Sequence, residues 1–360
     1  MSTSTLPGML RLLDEDGRRV ASPELDPHVA DLTPEAILGL YRDLVVARRL
    51  DAEATALQRQ GELALWPPLL GQEAAQIGSA RALRDDDFVF SSYREHGVAH
   101  VRGVRPVDLV RVWRGGALSG WDPYEVGMAT PQVIIGAQTL HATGYAMGIR
   151  QDRSDAAAIT YFGDGAMSEG DVSEAMVFAA SFLAPVLFFC QNNQWAISEP
   201  VTLQSTIALA DRAGGFGIPS QRVDGNDVLA VLAATRAALA RIRAGEGPQF
   251  LEAVTYRMGP HTTADDPTRY RDADELETWR GRDPIARVAA HLRAAGVLDD
   301  DAEAAVQAAA AAAAAELRSG CLALADPEPL SIFDHVYAGP HRALDRQRAD
   351  YADYLRGFTS

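Results

Sequence analysis

The sequence predicts an α/β protein built on a doubly wound parallel sheet flanked by helices, and three stretches carry that expectation. Ala156–Phe162 reads as a buried strand, and Pro185–Cys190 reads the same way. Between them, Asp171–Leu183 is apolar at Ala175, Met176, Ala179, Phe182 and Leu183, a helical spacing. A strand, a crossover helix and a parallel strand take roughly 30 residues or more, and that room exists here. Each strand ends in a polar motif: Gly163-Asp164-Gly165 after the first, and Asn192-Asn193 after the second, with 26 residues (166–191) between the motifs. Open parallel sheets bind ligands beyond the carboxyl ends of their strands, where both motifs would sit.

The other elements follow in chain order. Residues 1–32 mix Pro, Gly and charge and read as an extended N-terminal arm. A helix should start at Thr33, with Pro34 at its first position and Glu35 in its first turn. Its apolar residues Ile37, Leu40, Tyr41, Leu44 and Val45 keep helical spacing towards Leu57, and a second helix covers about Gln72 to Leu83. The core runs from about Val133 to Arg257 and includes a late strand, Gln249–Tyr256. We place one α/β domain over 33–272 and a C-terminal helical region over 273–360. Within the latter, Ala302–Leu317 is nearly all Ala, the best helix former.

A chain of 360 residues can bury a large core, and its net charge of -16 excludes the basic patches that nucleic acid or anionic membranes require. The only cysteines are Cys190 and Cys321, too few for a disulfide framework, so a reducing cytoplasm is the natural compartment. Met1–Val20 lacks the pattern of a signal peptide, and no stretch reaches the roughly 18 apolar residues of a membrane span.

Asp164 offers a carboxylate and Asn193 an amide oxygen, the hard donors that magnesium takes while leaving room for substrate phosphates. Gly-Asp-Gly alone is a common turn. With average residue usage, the full pattern at this spacing arises by chance in roughly one chain in several thousand, so metal binding prevails over an idle turn. Tyr93-Arg94 follows the acidic Asp85-Asp86-Asp87 turn and would present planar donors suited to a diphosphate. Taken alone, a surface ion pair is the commoner origin of such an Arg. His261 lies in a polar loop, Arg257–Arg271, which is either an idle connection or a lid that orders over a ligand. Gly215-Phe216-Gly217-Ile218-Pro219-Ser220 imitates a dinucleotide fingerprint but lacks the third glycine and a following helix, and it is rejected.

Tyr161–Asp171, Phe188–Ser198 and Arg222–Asp227 together resemble the alpha subunit of the decarboxylating component of 2-oxo acid dehydrogenase complexes, over about Thr33 to about Tyr337. The resemblance implies the thiamine diphosphate-binding fold, with thiamine diphosphate and Mg2+ as cofactors. It assigns Asp164, Asn193 and the backbone carbonyl of Trp195 to the metal, and Tyr93 and Arg94 to the diphosphate. Gly163, Gly165 and Ala166 would bring backbone close to that diphosphate. Val133 and Ile135 fall in the segment that packs on the aminopyrimidine, where Ile135 would hold the cofactor bent. Gln191 replaces an Arg that branched-chain relatives set against the diphosphate, and Ala137 replaces a hydroxyl of their potassium site. His261 matches the residue that touches the cofactor and serves acyl transfer to lipoyl, with Arg257, Asp265, Tyr270 and Arg271 tying its loop shut. Thr262 stands where animal relatives carry a regulatory phosphoserine, although a hydroxyl alone does not imply a kinase.

The implied reaction is oxidative decarboxylation of a small 2-oxo acid, with the acyl group passed to a lipoyl-bearing acyltransferase core. A glutamate needed against the pyrimidine ring belongs to a separate beta subunit, so the resemblance requires a partner, usually as two alpha and two beta chains. The Met258–Asp266 and Asn192–Ser198 segments favour branched-chain substrates of the 3-methyl-2-oxobutanoate type. So does Gly115–Trp121, standing where many pyruvate enzymes carry Gly-Gly-Ser-Met-His. His96 and Asp326-Pro327-Glu328-Pro329 lean towards a pyruvate dehydrogenase alpha subunit. A non-catalytic scaffold of the same fold is the alternative from another class, and joint retention of Asp164, Asn193, Tyr93, Arg94 and His261 argues against it.

Overall fold

The computed structural model describes residues 8–116 and 120–358. Ala117–Ser119 of the Gly115–Trp121 segment, and the first seven residues of the N-terminal arm, lie outside the described residues. A single five-stranded parallel sheet organises the chain. Its strands are β1 (Phe88–Phe90), β2 (Ala158–Gly163), β3 (Val186–Asn192), β6 (Ser220–Asp224) and β7 (Gln249–Val254), in the order β1-β2-β3-β7-β6. A small antiparallel pair, β4 (Trp195–Ala196) and β5 (Glu199–Pro200), follows β3. The predicted strand–helix–strand unit is present, with the helix at Gly170–Phe182.

β1, β2 and most of β3 are apolar because both faces of the sheet's centre are covered, whereas β6 at the margin is polar and partly exposed. Ile159, Tyr161, Leu187 and Phe189 enter one core with the long helices, whereas Ala158, Phe162, Phe188 and Cys190 enter a second core on the opposite face. The helices Ala137–Gln151 and Gly170–Phe182 close that second core. On the first face lie α1 (Pro34–Arg59), α2 (Glu73–Ala80) and the helix Val228–Arg243. Thr33 caps α1 by accepting the Ala36 N–H at 3.2 Å, with Pro34 next, as the sequence predicts. The second predicted helix is shorter than expected, because the chain turns after Ala80.

The Ala-rich segment forms a helix over Asp300–Ala323, and its packing follows from side-chain size. Val306, Ala310, Ala314, Leu317 and Cys321 are buried at spacings of three and four, and all but Ala314 lie in the core that α1 also joins. Small side chains let two helices approach closely, and Tyr41 Oη to Glu303 plus Arg318 to Glu53 link their polar margins. Residues 215–220 run into β6 with no helix following, which removes the dinucleotide reading.

The N-terminal residues are bound into this frame. Leu10 pairs in parallel with Val223, its N–H donating to the Arg222 carbonyl and its own carbonyl accepting from Asp224, both at 2.9 Å. Leu12, Leu13, Leu25 and Val29 are buried in the main core. At the other margin, Val89 of β1 bridges Met128. The N-terminal strap is pinned by fully buried Asp227, whose one oxygen caps the helix Val228–Arg243 through Leu229 and Ala230 and whose other accepts the Leu12 and Leu13 N–H groups. Asp227→Ala should therefore leave four main-chain donors without their acceptor. We expect a loss of about 3 kcal/mol or more, read as a lower urea midpoint, whereas a substitution at exposed Asp16 should leave the midpoint unchanged.

Candidate functional site

Parallel register sets the site. Gly163 at the end of β2 lies opposite Gln191 in β3, so the two motifs emerge side by side at the carboxyl edge of the sheet. Beyond them opens a cavity of about 460 Å³. Tyr93, Arg94, Val133, Ile135, Gly163, Asp164, Gly165, Ala166, Gln191, Asn193, Trp195 and His261 all line it. Every residue singled out for cofactor, metal or catalysis thus shares one cavity, whose mouth includes Thr262.

Small residues are required where the chain is tight. A Cβ on Gly165 would meet the Ala196 methyl at 2.7 Å, whereas one on Gly163 would meet nothing within 4 Å, so Gly163 leaves its backbone open to the cavity. Left-handed backbone at Gln194 (φ 72°) folds the chain back into the β4–β5 hairpin and carries Trp195 and Ile197 over the cavity.

Three residues of this lining carry oxygen donors. The Asp164 carboxylate is 1 % exposed and accepts one side-chain bond, from Gln204 Nε2 at 3.1 Å. Burial pushes its carboxyl up to about 6, against the opposing effect of hydrogen bonds and the Arg257 charge. Asn193 donates from Nδ2 to Gln72 Oε1 at 3.1 Å, which orients its oxygen, and that oxygen takes the Trp195 N–H at 3.2 Å. The Trp195 carbonyl accepts from Arg257 Nη1 at 3.0 Å and keeps a second lone pair. One carboxylate with amide and carbonyl oxygens suits a hard cation. Among the described residues no cluster of three or more His, Cys, Asp or Glu side chains could hold a metal.

Polar atoms without partners point the same way. Gln72 Nε2, Gln138 Oε1 and Gln191 Oε1 are buried, lack a hydrogen-bond partner, and belong to residues lining the cavity. Buried polar atoms are normally satisfied, so these three are positions for a ligand or its waters. Val133, 65 % exposed, and Ile135 supply an apolar wall ahead of Gly136, whose φ of 85° starts the helix Ala137–Gln151.

The opposite wall is basic. Arg94 is buried and donates from Nη1 to the Pro68 carbonyl at 2.6 Å and from Nη2 to the His261 carbonyl at 3.0 Å. Its guanidinium sits 5.5 Å from the Tyr93 ring centre, and Tyr93 meets His261 edge-on at 6.1 Å. Arg94 Nη2 is also 3.3 Å from His261 Nδ1, and because Arg has no acceptor, that contact assigns the proton to Nε2.

Residues 257–271 hold themselves in place more firmly than their polar composition suggests. Arg257 reaches the Ile197 carbonyl at 2.6 Å and the Tyr270 hydroxyl at 2.9 Å, and that hydroxyl donates to Asp265, which accepts the His261 N–H at 2.7 Å. Arg271 donates to the carbonyls of Arg257, Met258 and Gly259. Trp195, Tyr256 and Met258 add a small apolar cluster with Leu70, Tyr270 and Trp279. Arg257, Asp265, Tyr270 and Arg271 all take part in these ties, several of them to main-chain carbonyls.

Three site residues escaped sequence reasoning. Gln72 orients Asn193, Gln204 meets Asp164, and Glu95 accepts from Gln191 Nε2 at 2.6 Å and Ser92 Oγ at 2.9 Å. Burial raises the Glu95 carboxyl above its ordinary range. Only Glu95, beside Tyr93-Arg94, carried any signal, and it read there as one charge among several.

A cavity at the carboxyl edge of a parallel sheet, walled by an oxygen set on one side and a buried guanidinium on the other, defines an α/β enzyme that binds a phosphorylated cofactor. Residues 41–318 match the family described as dehydrogenase E1 component, and the chain belongs to that family, whose members are thiamine diphosphate-dependent 2-oxo acid dehydrogenases. It is 46% identical to the 3-methyl-2-oxobutanoate dehydrogenase subunit alpha of Mycobacterium tuberculosis (strain ATCC 25618 / H37Rv) over 347 residues, 95% of each chain. It is 42% identical to the pyruvate dehydrogenase E1 component subunit alpha of Staphylococcus epidermidis over 297 residues, 82% of this chain and 79% of that one. The corresponding Staphylococcus aureus (strain COL) protein is 41% identical over the same length. Among the described residues, no helix is long and apolar enough to cross a membrane.

The geometry makes a pH prediction. Burial, then the charges of Arg94 and Arg257, lower His261 from 6.5 to about 4, so its ring is neutral at pH 7. The unfolded chain binds that proton more readily, and His261 therefore withdraws stability as pH falls from about 6.5 towards 4. Its ring signals in NMR should titrate near 4, and Arg94→Ala should move the midpoint upward. A midpoint indifferent to Arg94 would contradict this electrostatic account.

Proposed function

We propose that this chain is the alpha subunit of a branched-chain 2-oxo acid dehydrogenase, which decarboxylates 3-methyl-2-oxobutanoate-type acids and passes the acyl group to lipoyl. The observation that carries the reading is the convergence of the oxygen set, the buried Arg94 and the orphaned glutamine atoms on one cavity. Near-full-length similarity to a branched-chain alpha subunit, at higher identity than to the pyruvate enzymes, favours the substrate class. Pyruvate is the second reading, supported by the staphylococcal relatives.

Thiamine diphosphate, when bound, supplies the electron sink for loss of carbon dioxide. The chain's own residues bind and orient. Asp164, Asn193 and the Trp195 carbonyl hold Mg2+, the single carboxylate giving the strongest Coulomb attraction. Tyr93 and Arg94 engage the diphosphate, while Gly163, Gly165 and Ala166 let backbone approach it. Gln191, a shorter neutral donor tied to Glu95, leaves more of the anionic charge to Arg94. Val133 and Ile135 pack on the aminopyrimidine and exclude water. His261, neutral and at the mouth, contacts the cofactor and serves acyl transfer, with its loop forming the lipoyl docking surface. The beta subunit supplies the glutamate that this chain lacks, in an assembly of two alpha and two beta chains that docks on an acyltransferase core. Exposed Val177, Phe178, Phe182 and Leu183 give an apolar surface of the kind a subunit interface uses. Cys190 and Cys321 are free and buried, which fits a reducing cytoplasm.

Asp164→Ala should weaken thiamine diphosphate binding in the presence of magnesium by about a hundredfold, about 3 kcal/mol. It should leave the thermal midpoint of the cofactor-free chain unchanged or higher, because burial disfavours that carboxylate. Unchanged affinity by calorimetry would remove the metal assignment.

The substrate class is tested by steady-state kinetics of the chain co-expressed with its beta subunit. The expected kcat/KM for 3-methyl-2-oxobutanoate exceeds that for pyruvate by about tenfold or more, since each buried methyl(ene) contributes about 1–3 kcal/mol of discrimination. A preference for pyruvate would establish the second reading. The purified alpha chain alone should turn over neither substrate.

A further inference from the structure

One buried acid lies outside the cavity and yet governs its basic wall. Asp51 sits in the body of α1 and is 4 % exposed. A single oxygen, Oδ1, accepts both the Trp66 indole N–H at 2.8 Å and the Leu69 main-chain N–H at 3.0 Å. These two donors flank Pro67-Pro68, neither of which has an N–H to contribute. Asp51 thus grips a four-residue strap at both ends.

That strap touches the groups on which the proposed chemistry depends. The Pro68 carbonyl takes Arg94 Nη1 at 2.6 Å, and the Pro67 carbonyl lies 3.1 Å from His96 Nε2. Trp66 exchanges two bonds with Thr263, its N–H donating to Oγ1 at 3.0 Å and its carbonyl accepting the Thr263 N–H at 2.9 Å. Thr263 is two residues from His261, whose carbonyl takes the other nitrogen of Arg94. The Trp66 ring stacks on His96 at 3.9 Å, fixing the strap laterally. Arg94 and the His261 loop both bond this strap, and the Asp51 carboxyl ties the strap to α1 at both of its ends.

Burial opposes the charged form of this acid, and its two hydrogen bonds favour it. Burial pushes the Asp51 carboxyl up to about 7, with Glu73 adding to the shift and Arg94 opposing it, so the carboxylate is disfavoured where it stands. An apolar side chain there would leave the Trp66 indole and Leu69 main-chain N–H groups buried without an acceptor. The two directed bonds can be made only by an acceptor.

We propose that Asp51 is a positioning residue of the cofactor site, holding the Trp66–Leu69 strap so that Arg94 and the His261 loop keep their mutual geometry. The inference rests on the roles given above to Arg94 and His261. The test uses the full chain assembled with its beta subunit and measures thiamine diphosphate affinity with Mg2+, kcat, and the thermal midpoint. Displacement of a positioned group by about 1 Å costs up to roughly a hundredfold, so Asp51→Leu should lose about tenfold to a hundredfold in affinity and kcat, with a lower midpoint because the Trp66 and Leu69 N–H groups lose their acceptor. Asp51→Asn keeps an oxygen able to accept both donors and should stay within about threefold of the wild type. Trp66→Phe removes one bond and should lose about threefold to tenfold in affinity. A folded Asp51→Leu enzyme with wild-type affinity and kcat overturns the proposal, as does equal loss in Asp51→Leu and Asp51→Asn. If Asp51→Leu does not assemble, Trp66→Phe decides, and wild-type affinity there overturns it. Arg94→Ala and His261→Ala run alongside: wild-type behaviour in those variants removes the reading of the site itself. Loss in them with normal Asp51 and Trp66 variants removes only the positioning role.

Discussion

Parallel adjacency of β2 and β3 is the constraint from which the rest of the molecule follows. Two neighbouring strands that run the same way must deliver their carboxyl ends to the same edge, so Gly163 and Gln191 arrive together and the loops beyond them share one space. The crossover helix Gly170–Phe182 closes one face of the sheet, and the helices on the other face complete the enclosure. With both faces buried, β2 and β3 are free of polar alternation, and their polar motifs lie at their carboxyl ends. β7 then pairs with β3 as far as Val254, which carries Arg257 to the same edge and lets its guanidinium clamp the Trp195 and Ile197 carbonyls.

Around that edge, buried charges are arranged against their solvation preferences. The Asp164 and Glu95 carboxyls are raised and His261 is lowered, each chiefly by burial. A cavity prepared in this way is ready for a ligand that brings its own charge: anionic phosphate oxygens suit the Arg94 wall, and a divalent cation suits the Asp164 oxygen set. Three of the buried polar atoms left without partners, on Gln72, Gln138 and Gln191, belong to residues lining this cavity.

Much of this was legible in the residues. Ala156–Phe162 and Pro185–Cys190 announced themselves because a strand covered on both faces is a short apolar run, and Thr33-Pro34-Glu35 because a cap acts on the next few residues. The motifs were readable because strand ends place consecutive residues in the site. Gln72 and Gln204 were not, since each reaches its partner across 121 or 40 positions and no local pattern encodes such a contact. The N-terminal residues misled for a related reason: Leu12 and Leu13 look unremarkable among charges, and only the distant Asp227 explains their burial. The Ala-rich helix was recognisable as a helix from propensity, whereas its partner, α1, depended on which face the sparse larger residues Val306 and Leu317 occupy.

The bridges at the two margins of the sheet carry a further consequence. Leu10 bonds the outer side of β6, and the residues around Met128 bond the outer side of β1. Each terminal strand therefore has a row-mate on its outward flank, and there is little free main-chain amide or carbonyl there to template another molecule's strand. Edge-to-edge association, the usual route from a parallel sheet to disordered aggregates or fibrils, is closed off at both ends. Contacts with partners then fall to side chains on helices and loops, a mode of contact that chooses partners by shape rather than by a backbone every protein shares.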